Sequence, residues 1–170
     1  MNSKGFTLLE LIVTLTVMSI LVGLAIPFFG ETIKSQRIAT QRDRLFNTFV
    51  YARSEAVKLG KRVTVCTSSD GATCSGGAWN TGWIVFIDFN GNAVVDSGSA
   101  AITEDNDRVL RIVEPSSSSV SSTTTAGATI TYTSEGRSSS SGNFVFSTND
   151  AYTNHDRGVE ISATGRPKKG

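Results

Sequence analysis

Lys4-Gly5-Phe6-Thr7-Leu8-Leu9-Glu10 opens the chain, and Leu11-Ile12-Val13 begins an apolar run that extends to Ala25-Ile26-Pro27. From Phe6 to Phe29 the residues are mostly Leu, Ile, Val, Phe and Ala. As a helix rising about 1.5 Å per residue, that segment covers roughly 36 Å, enough to cross a hydrocarbon core. Thr7, Thr14, Thr16 and Ser19 do not exclude insertion, because their hydroxyls can bond back to carbonyls of their own helix. Lys4 and the amino terminus precede the segment and orient that end toward the cytoplasm. The anomaly is Glu10. A carboxylate in a membrane segment is costly and marks a functional site by default.

The segment admits three readings. A secretory signal would carry a basic start, an apolar core of 7–15 residues and a small-residue cleavage site, for which Gly23-Leu24-Ala25 is available. The apolar run is long for that, and its basic region is thin. A plain anchor leaves Glu10 unexplained. In the third reading, Gly5-Phe6-Thr7-Leu8-Leu9-Glu10 resembles the processing motif of type IV pilins and type II secretion pseudopilins. That motif is a short basic leader ending in Gly, then Phe-Thr-Leu-x-Glu and about twenty apolar residues. The resemblance implies cleavage between Gly5 and Phe6 by prepilin peptidase, N-methylation of Phe6 and retention of the helix. It also implies a role for Glu10 in assembly, pairing with the new amine of a neighbouring subunit. Physically, a carboxylate stranded in lipid gains most when a partner charge arrives.

At 170 residues and a net charge of +1, the chain has room for one modest domain and is no general polyanion binder. The charge is nonetheless segregated. Residues 31–62 carry eight bases (Lys34, Arg37, Arg42, Arg44, Arg53, Lys58, Lys61, Arg62) against three acids (Glu31, Asp43, Glu55). Residues 63–165 carry eleven acids against four bases, and Arg166, Lys168 and Lys169 make a basic tail.

After Pro27 the pattern turns amphipathic. Ile38, Leu45, Phe46, Phe49, Ala52, Ala56 and Val57 recur at three-, four- and seven-residue steps, one apolar face of a helix. Arg37, Arg42, Arg44, Arg53 and Lys58 take the other face as solvated charge, with a partner site as the alternative. Gly60 is the expected stop. One helix is predicted from about Phe6 to Leu59, with a weak point at Gly23 and Pro27. The divisions are thus a leader (1–5), a transmembrane and assembly helix (6–29), its amphipathic continuation (30–60) and a β body (61–170).

In the body the apolar period shortens to two. Strands are predicted at Arg62–Cys66, Trp83–Phe89, Val109–Val113, Thr129–Thr133, Asn143–Phe146 and Val159–Ser162, separated by Gly, Ser, Asn and Asp clusters. The fold class is α+β, a long N-terminal helix laid on a small antiparallel sheet domain. The Ser-rich stretch 116–125, Ser138–Ser141 and the tail 166–170 read as mobile segments.

Cys66 and Cys74 fit neither a zinc pattern nor a C-x-x-C redox pair. In an exported body they close a short loop, contributing on the order of 2–3 kcal/mol if unstrained; the alternative is two free thiols. Asp88, Asn90, Asn92 and Asp96 place oxygens at alternate positions, as a calcium loop would, but Ala93 stands where such loops need Gly and Ser99 where they need Glu. A turn after a strand is the competing and favoured account. His155, the single histidine, beside Asp156, has no nucleophile context around it. No enzymatic activity, cofactor or metal is expected.

The body extends the resemblance. Tyr51–Lys58, Val63–Cys66 and Gly82–Asp88, with the Gly-Arg pairs in Thr133-Ser134-Glu135-Gly136-Arg137 and Ile161-Ser162-Ala163-Thr164-Gly165-Arg166, resemble the GspH/FimT family of minor pilins and pseudopilins. The implied function is a non-enzymatic subunit at or near the tip of a type IV pilus or type II secretion pseudopilus. The implied partners are major and minor pilins or pseudopilins, prepilin peptidase, an inner-membrane assembly platform and membrane lipid. The implied location is the inner membrane, with the body in the periplasm until assembly. Some FimT-type members capture DNA through a basic C-terminal Gly-Arg motif. Here a lysine replaces the second arginine, so nucleic-acid contact by Arg166, Lys168 and Lys169 is the alternative, not the favoured reading.

Overall fold

A computed structural model describes residues 5–96, 106–116, 119–148 and 156–170, the side chains of 24–29 excepted. His155 lies outside the described residues. The chain divides into two compact units, residues 1–36 and 37–170, and helix α1 (Leu8–Leu59) contributes to both.

In the first unit, α1 carries an exposed apolar surface. Phe6 is 88% exposed, and Leu8, Leu9, Leu15, Met18, Ile20 and Leu21 are all exposed. The hydroxyls of Thr14, Thr16 and Ser19 donate to the carbonyls of Leu11, Ile12 and Thr16, which hides their polarity inside the helix. Thr7 departs from that expectation and caps the helix instead. Among the described residues no helix is long and apolar enough to cross a membrane.

In the second unit, α1 buries Ile38, Gln41, Leu45, Thr48, Phe49, Ala52 and Ala56, the three-and-four spacing of one helix face. Two residues assigned to that face differ: Phe46 is half-buried and Val57 is 55% exposed. Gly60 at φ +63° ends the helix, with the Lys61 N–H donating to the Ala56 carbonyl at 3.3 Å. That six-residue closure satisfies an orphan carbonyl of the last turn, and it needs a residue free to take positive φ.

The body holds two four-stranded antiparallel sheets. The first, in order β3-β2-β1-β5, comprises Arg108–Val113, Trp83–Ile87, Val63–Thr67 and Thr129–Tyr132. The second, in order β4-β6-β7-β8, comprises Val120–Thr124, Gly142–Thr148, Arg157–Ile161 and Pro167–Lys169. β1 and β2 are buried along their whole length because both faces are covered. Val63, Val65, Trp83 and Val85 join α1 and the second sheet in the main core, while Cys66, Ile84 and Phe86 form a smaller cluster under Cys74, Val95 and Val109.

Trp79, on a short 3-10 turn (Trp79–Thr81), anchors the main core. Its ring lies 5.7 Å from Phe49, 6.1 Å from Trp83 and 5.1 Å from Phe144. Both buried indoles are satisfied: Trp79 Nε1 donates to the Gly127 carbonyl at 3.0 Å, and Trp83 Nε1 to Thr48 Oγ1 at 3.1 Å. An indole N–H without a partner would cost part of what its ring gains by burial.

Three expectations are corrected here. Residues 120–124 are not a mobile loop but strand β4, paired with β6 from Val120–Thr148 to Thr124–Phe144. The serines are accommodated because their hydroxyls find acceptors: Ser121 meets Ser147 at 2.9 Å and Ser122 donates to Asn80 Oδ1 at 3.0 Å. The tail is not mobile either. Residues 167–169 form β8, paired with β7, and a proline is tolerated at the first residue of an edge strand. Ser138–Ser141, also read as mobile, is tied in by a Tyr132–Ser138 bridge and by the Ser139 N–H donating to the Thr131 carbonyl at 2.8 Å.

Candidate functional site

At the N-terminal end the critical residues meet within one helical turn. The Thr7 N–H and hydroxyl both donate to Glu10 Oε2, at 3.1 and 3.0 Å, and the Glu10 N–H donates to Thr7 Oγ1 at 3.3 Å. Thr7-Leu8-Leu9-Glu10 is therefore a reciprocal capping box, satisfying two donors that a helix start leaves unpaired. The carboxylate also sits at the positive end of the helix dipole. Both bonds use Oε2; among the described residues Oε1 accepts none. Gly5 and Phe6 precede the helix and are exposed, with nothing within 4 Å of where a Gly5 Cβ would stand. α1 is helical through Gly23 and Pro27; the Pro27 side chain lies outside the described residues.

Cys66 and Cys74 form a disulfide with a Cα–Cα distance of 5.6 Å. It closes the loop Thr67–Thr73 and packs Cys74 against the smaller cluster of Cys66, Ile84 and Phe86. Within that loop Asp70 accepts the Ser68 and Thr73 hydroxyls and the N–H groups of Ala72 and Thr73. The Thr73 hydroxyl, above all, holds the Asp70 carboxyl well below the usual carboxylate range.

The Asp88–Asp96 segment is a turn whose side chains are spent on itself. Asp88 is fully buried; its Oδ2 accepts from Thr64 Oγ1 at 2.8 Å and from the Ala93 N–H at 3.1 Å, and its Oδ1 accepts from the Gly91 N–H at 2.7 Å. Asn90 Nδ2 and Asn92 Nδ2 both donate to Asp96 Oδ2, at 2.6 and 2.9 Å. Asp107 closes the turn from outside, accepting the N–H groups of Phe89 and Asp96. Among the described residues no group of three or more His, Cys, Asp or Glu is placed to hold a metal ion.

The two Gly-Arg sequences form matching hairpin turns. In each, the fourth residue is a glycine at positive φ (Gly136 +75°, Gly165 +77°) whose N–H donates to the first residue's carbonyl, Thr133 or Ser162, at 2.8 Å. The Arg137 and Arg166 N–H groups then return to the hydroxyls of Thr133 and Ser162, at 3.3 and 3.1 Å. The turns stack: a Cβ on Gly165 would meet the Gly136 carbonyl oxygen, and Ser138 Oγ donates to the Ser162 carbonyl at 3.3 Å. Arg53, expected as solvated charge, instead donates from Nε to the Gly136 carbonyl at 2.9 Å and locks α1 to this junction.

Of the tail cations, Lys169 is engaged. Its Nζ lies 3.0 Å from Asp43 Oδ1 and 5.0 Å over the Phe46 ring. Arg166 and Lys168 are exposed. Sequence reading missed the capping box, although Thr-x-x-Glu before an apolar run is its signature, and missed the Lys169 anchor, which spans the chain from α1 to β8.

Comparison with known proteins agrees with this architecture. The family described as Type II transport protein GspH matches residues 41–165, and the Prokaryotic N-terminal methylation motif matches residues 1–26. No curated protein sequence matches. Among solved structures, the Pseudomonas aeruginosa type IV minor pilin FimU superposes with a TM-score of 0.58 at 22% identity, covering 79% of this chain and 89% of that one. The Vibrio cholerae minor pseudopilin EpsH superposes with a TM-score of 0.51 at 9% identity, covering 79% and 96%. The two superpositions establish a shared pilin-like fold. With the GspH match spanning most of the body and the methylation motif its N-terminus, the chain belongs to the GspH/FimT family of minor pilins and pseudopilins.

Proposed function

We propose that this chain is a non-enzymatic minor subunit that prepilin peptidase cuts between Gly5 and Phe6, that is N-methylated at Phe6, and that enters a type IV pilus or type II secretion pseudopilus at or near its tip, supporting initiation of the filament. Before assembly it waits in the inner membrane with residues 61–170 in the periplasm, in contact with an assembly platform. The observation that carries the reading is Glu10. It stands in the first turn of an apolar, exposed helix segment, with one carboxylate oxygen held by Thr7 and the other accepting no hydrogen bond among the described residues.

The capping box gives the pairing step a physical form. Cleavage after Gly5 leaves Thr7 and its bonds to Glu10 in place, so the carboxylate stays oriented while Oε1 receives the amine of a neighbour's Phe6. Such charge-assisted bonds are the strong ones, and in lipid they relieve the cost of an isolated carboxylate. Gly23 and Pro27, with one backbone donor missing at the proline, are where the helix would yield during insertion.

The test is Glu10→Ala. Peptidase cutting is expected to continue while the subunit disappears from sheared filaments or loses its methyl group. Normal cutting with normal incorporation and methylation would refute the role of Glu10. Deleting the chain separates the two systems: loss of surface pili and twitching assigns it to a pilus, loss of protein secretion to a pseudopilus.

A further inference from the structure

Away from the N-terminal end, one concavity joins an apolar floor to uncancelled positive charge. A groove of about 610 Å³ lies between α1 and the edge of the second sheet, lined by Phe46, Glu160, Arg166, Pro167, Lys168 and Lys169 among others. Phe46 and Pro167 are half-buried and supply the apolar surface. Lys169 shares the Asp43 carboxylate with Arg42. Arg166 and Lys168 are exposed, and among the described residues neither forms an ion pair.

Beside the groove runs an open strand edge. β8 is the outermost strand of its sheet. The Gly170 N–H donates to the Gly158 carbonyl at 3.0 Å, which fixes the phase of the β7–β8 ladder. Lys168, opposite Glu160, lies in the phase that bonds to β7, whereas Lys169, opposite Val159, turns its N–H and carbonyl away from it. An outward N–H and carbonyl on an edge strand can pair with an extended chain.

We propose that this groove docks an extended acidic segment of a partner protein. An apolar side chain would rest on Phe46 and Pro167, carboxylates would face Arg166 and Lys168, and the segment's backbone would meet the Lys169 edge. Charge complementarity selects this occupant. The patch is basic, and residues 63–165 carry eleven acids against four bases, so an acidic segment finds at Arg166 and Lys168 an attraction that the rest of the β body does not offer. A nucleic acid is the poorer fit. An apolar floor offers nothing to a charged backbone, whose binding grows with the number of phosphates neutralised, and a strand edge pairs with a peptide backbone rather than with phosphates. The inference is independent of the assembly role of Glu10, and its test does not require filaments.

The full-length chain in detergent micelles is titrated into three fluorescein-labelled probes. One is a decapeptide with Leu-Phe at its centre and Asp and Glu on both flanks, the second carries Asn and Gln in place of those acids, and the third is a short DNA duplex. Saturable anisotropy change is expected with the acidic peptide, about tenfold weaker for the Arg166→Glu/Lys168→Glu double variant, with the neutral peptide and the duplex weaker than the acidic peptide. Lys168→Glu alone supplies a second variant at an exposed position, and unchanged circular dichroism shows that the chain stays folded. Equal binding of the acidic and neutral peptides, no binding of the acidic peptide, or tighter binding of the duplex would overturn the proposal.

Discussion

Gly165→Ala is expected to destabilise the body by about 2–4 kcal/mol. Two costs combine. Gly165 sits at φ +77°, where a side chain costs roughly 1 kcal/mol. The added Cβ would also run into the Gly136 carbonyl oxygen, and would stand 2.9 Å from the Ser138 nitrogen and 3.1 Å from the Arg137 carbonyl carbon. These are backbone atoms of a second turn, unable to rotate aside, and crowding of that kind costs about 1–3 kcal/mol. Gly76→Ala is the matched control: its φ is +67°, but nothing lies within 4 Å of the new Cβ, so only about 1 kcal/mol is expected. Urea unfolding of the full-length chain in detergent, followed by emission of the buried Trp79 and Trp83, measures both. With a denaturant slope of about 2 kcal/mol per molar, Gly165→Ala should lower the midpoint by roughly 1–2 M and Gly76→Ala by about 0.5 M. Indistinguishable midpoints would refute the stacking of the two Gly-Arg turns.

Two further outcomes follow from the body. Asp88→Ala removes the shared acceptor of the Thr64 hydroxyl, which keeps Thr131 Oγ1 as a partner, and of the Gly91 and Ala93 N–H groups; the same urea assay should show a loss of about 1–3 kcal/mol, and a loss under about 0.5 kcal/mol would contradict the role of the buried Asp88 carboxylate. The Lys169 hydrogen bond holds the Asp43 carboxyl below its ordinary value. A lowered folded-state pKa means the pairing stabilises above the unfolded value and is lost as pH falls through the folded one. β8 should therefore stay anchored at neutral pH and loosen only below about pH 4. Because Asp43 is substantially exposed, the energy is under about 1 kcal/mol. The readout is the Lys169 side-chain resonance, which should titrate with a midpoint below that of an ordinary aspartate and stop titrating in Asp43→Asn.

Much of the fold was legible because burial writes a period. The face from Ile38 to Ala56 carries the helical period, the strands at Thr129, Asn143 and Val159 place their buried residues two apart, and the strand at Trp83 is legible as a continuous apolar run. β4 was not legible because Ser121, Ser122, Thr123 and Thr124 are polar on both faces and belong to the sheet through hydroxyl bonds and β-branching. β8 was hidden by Pro167 and its lysines, yet its existence follows from one pattern. A hydroxyl residue, two spacers, then Gly-Arg occurs at 133–137 and 162–166, and a hairpin turn requires a returning strand. Trp79 was missed because it stands alone in a Gly-rich stretch with no periodic neighbours. At the N-terminus Glu10 was conspicuous as a charge out of place. Its bond to Thr7 is written in Thr-x-x-Glu, the capping-box spacing.

The N-terminal mass of the mature chain, taken from a sheared filament fraction, tests the central claim most directly. Processing as a filament subunit predicts a chain beginning at Phe6 and heavier by one methyl group. A chain beginning at Ile26, or one retaining Met1, would contradict it.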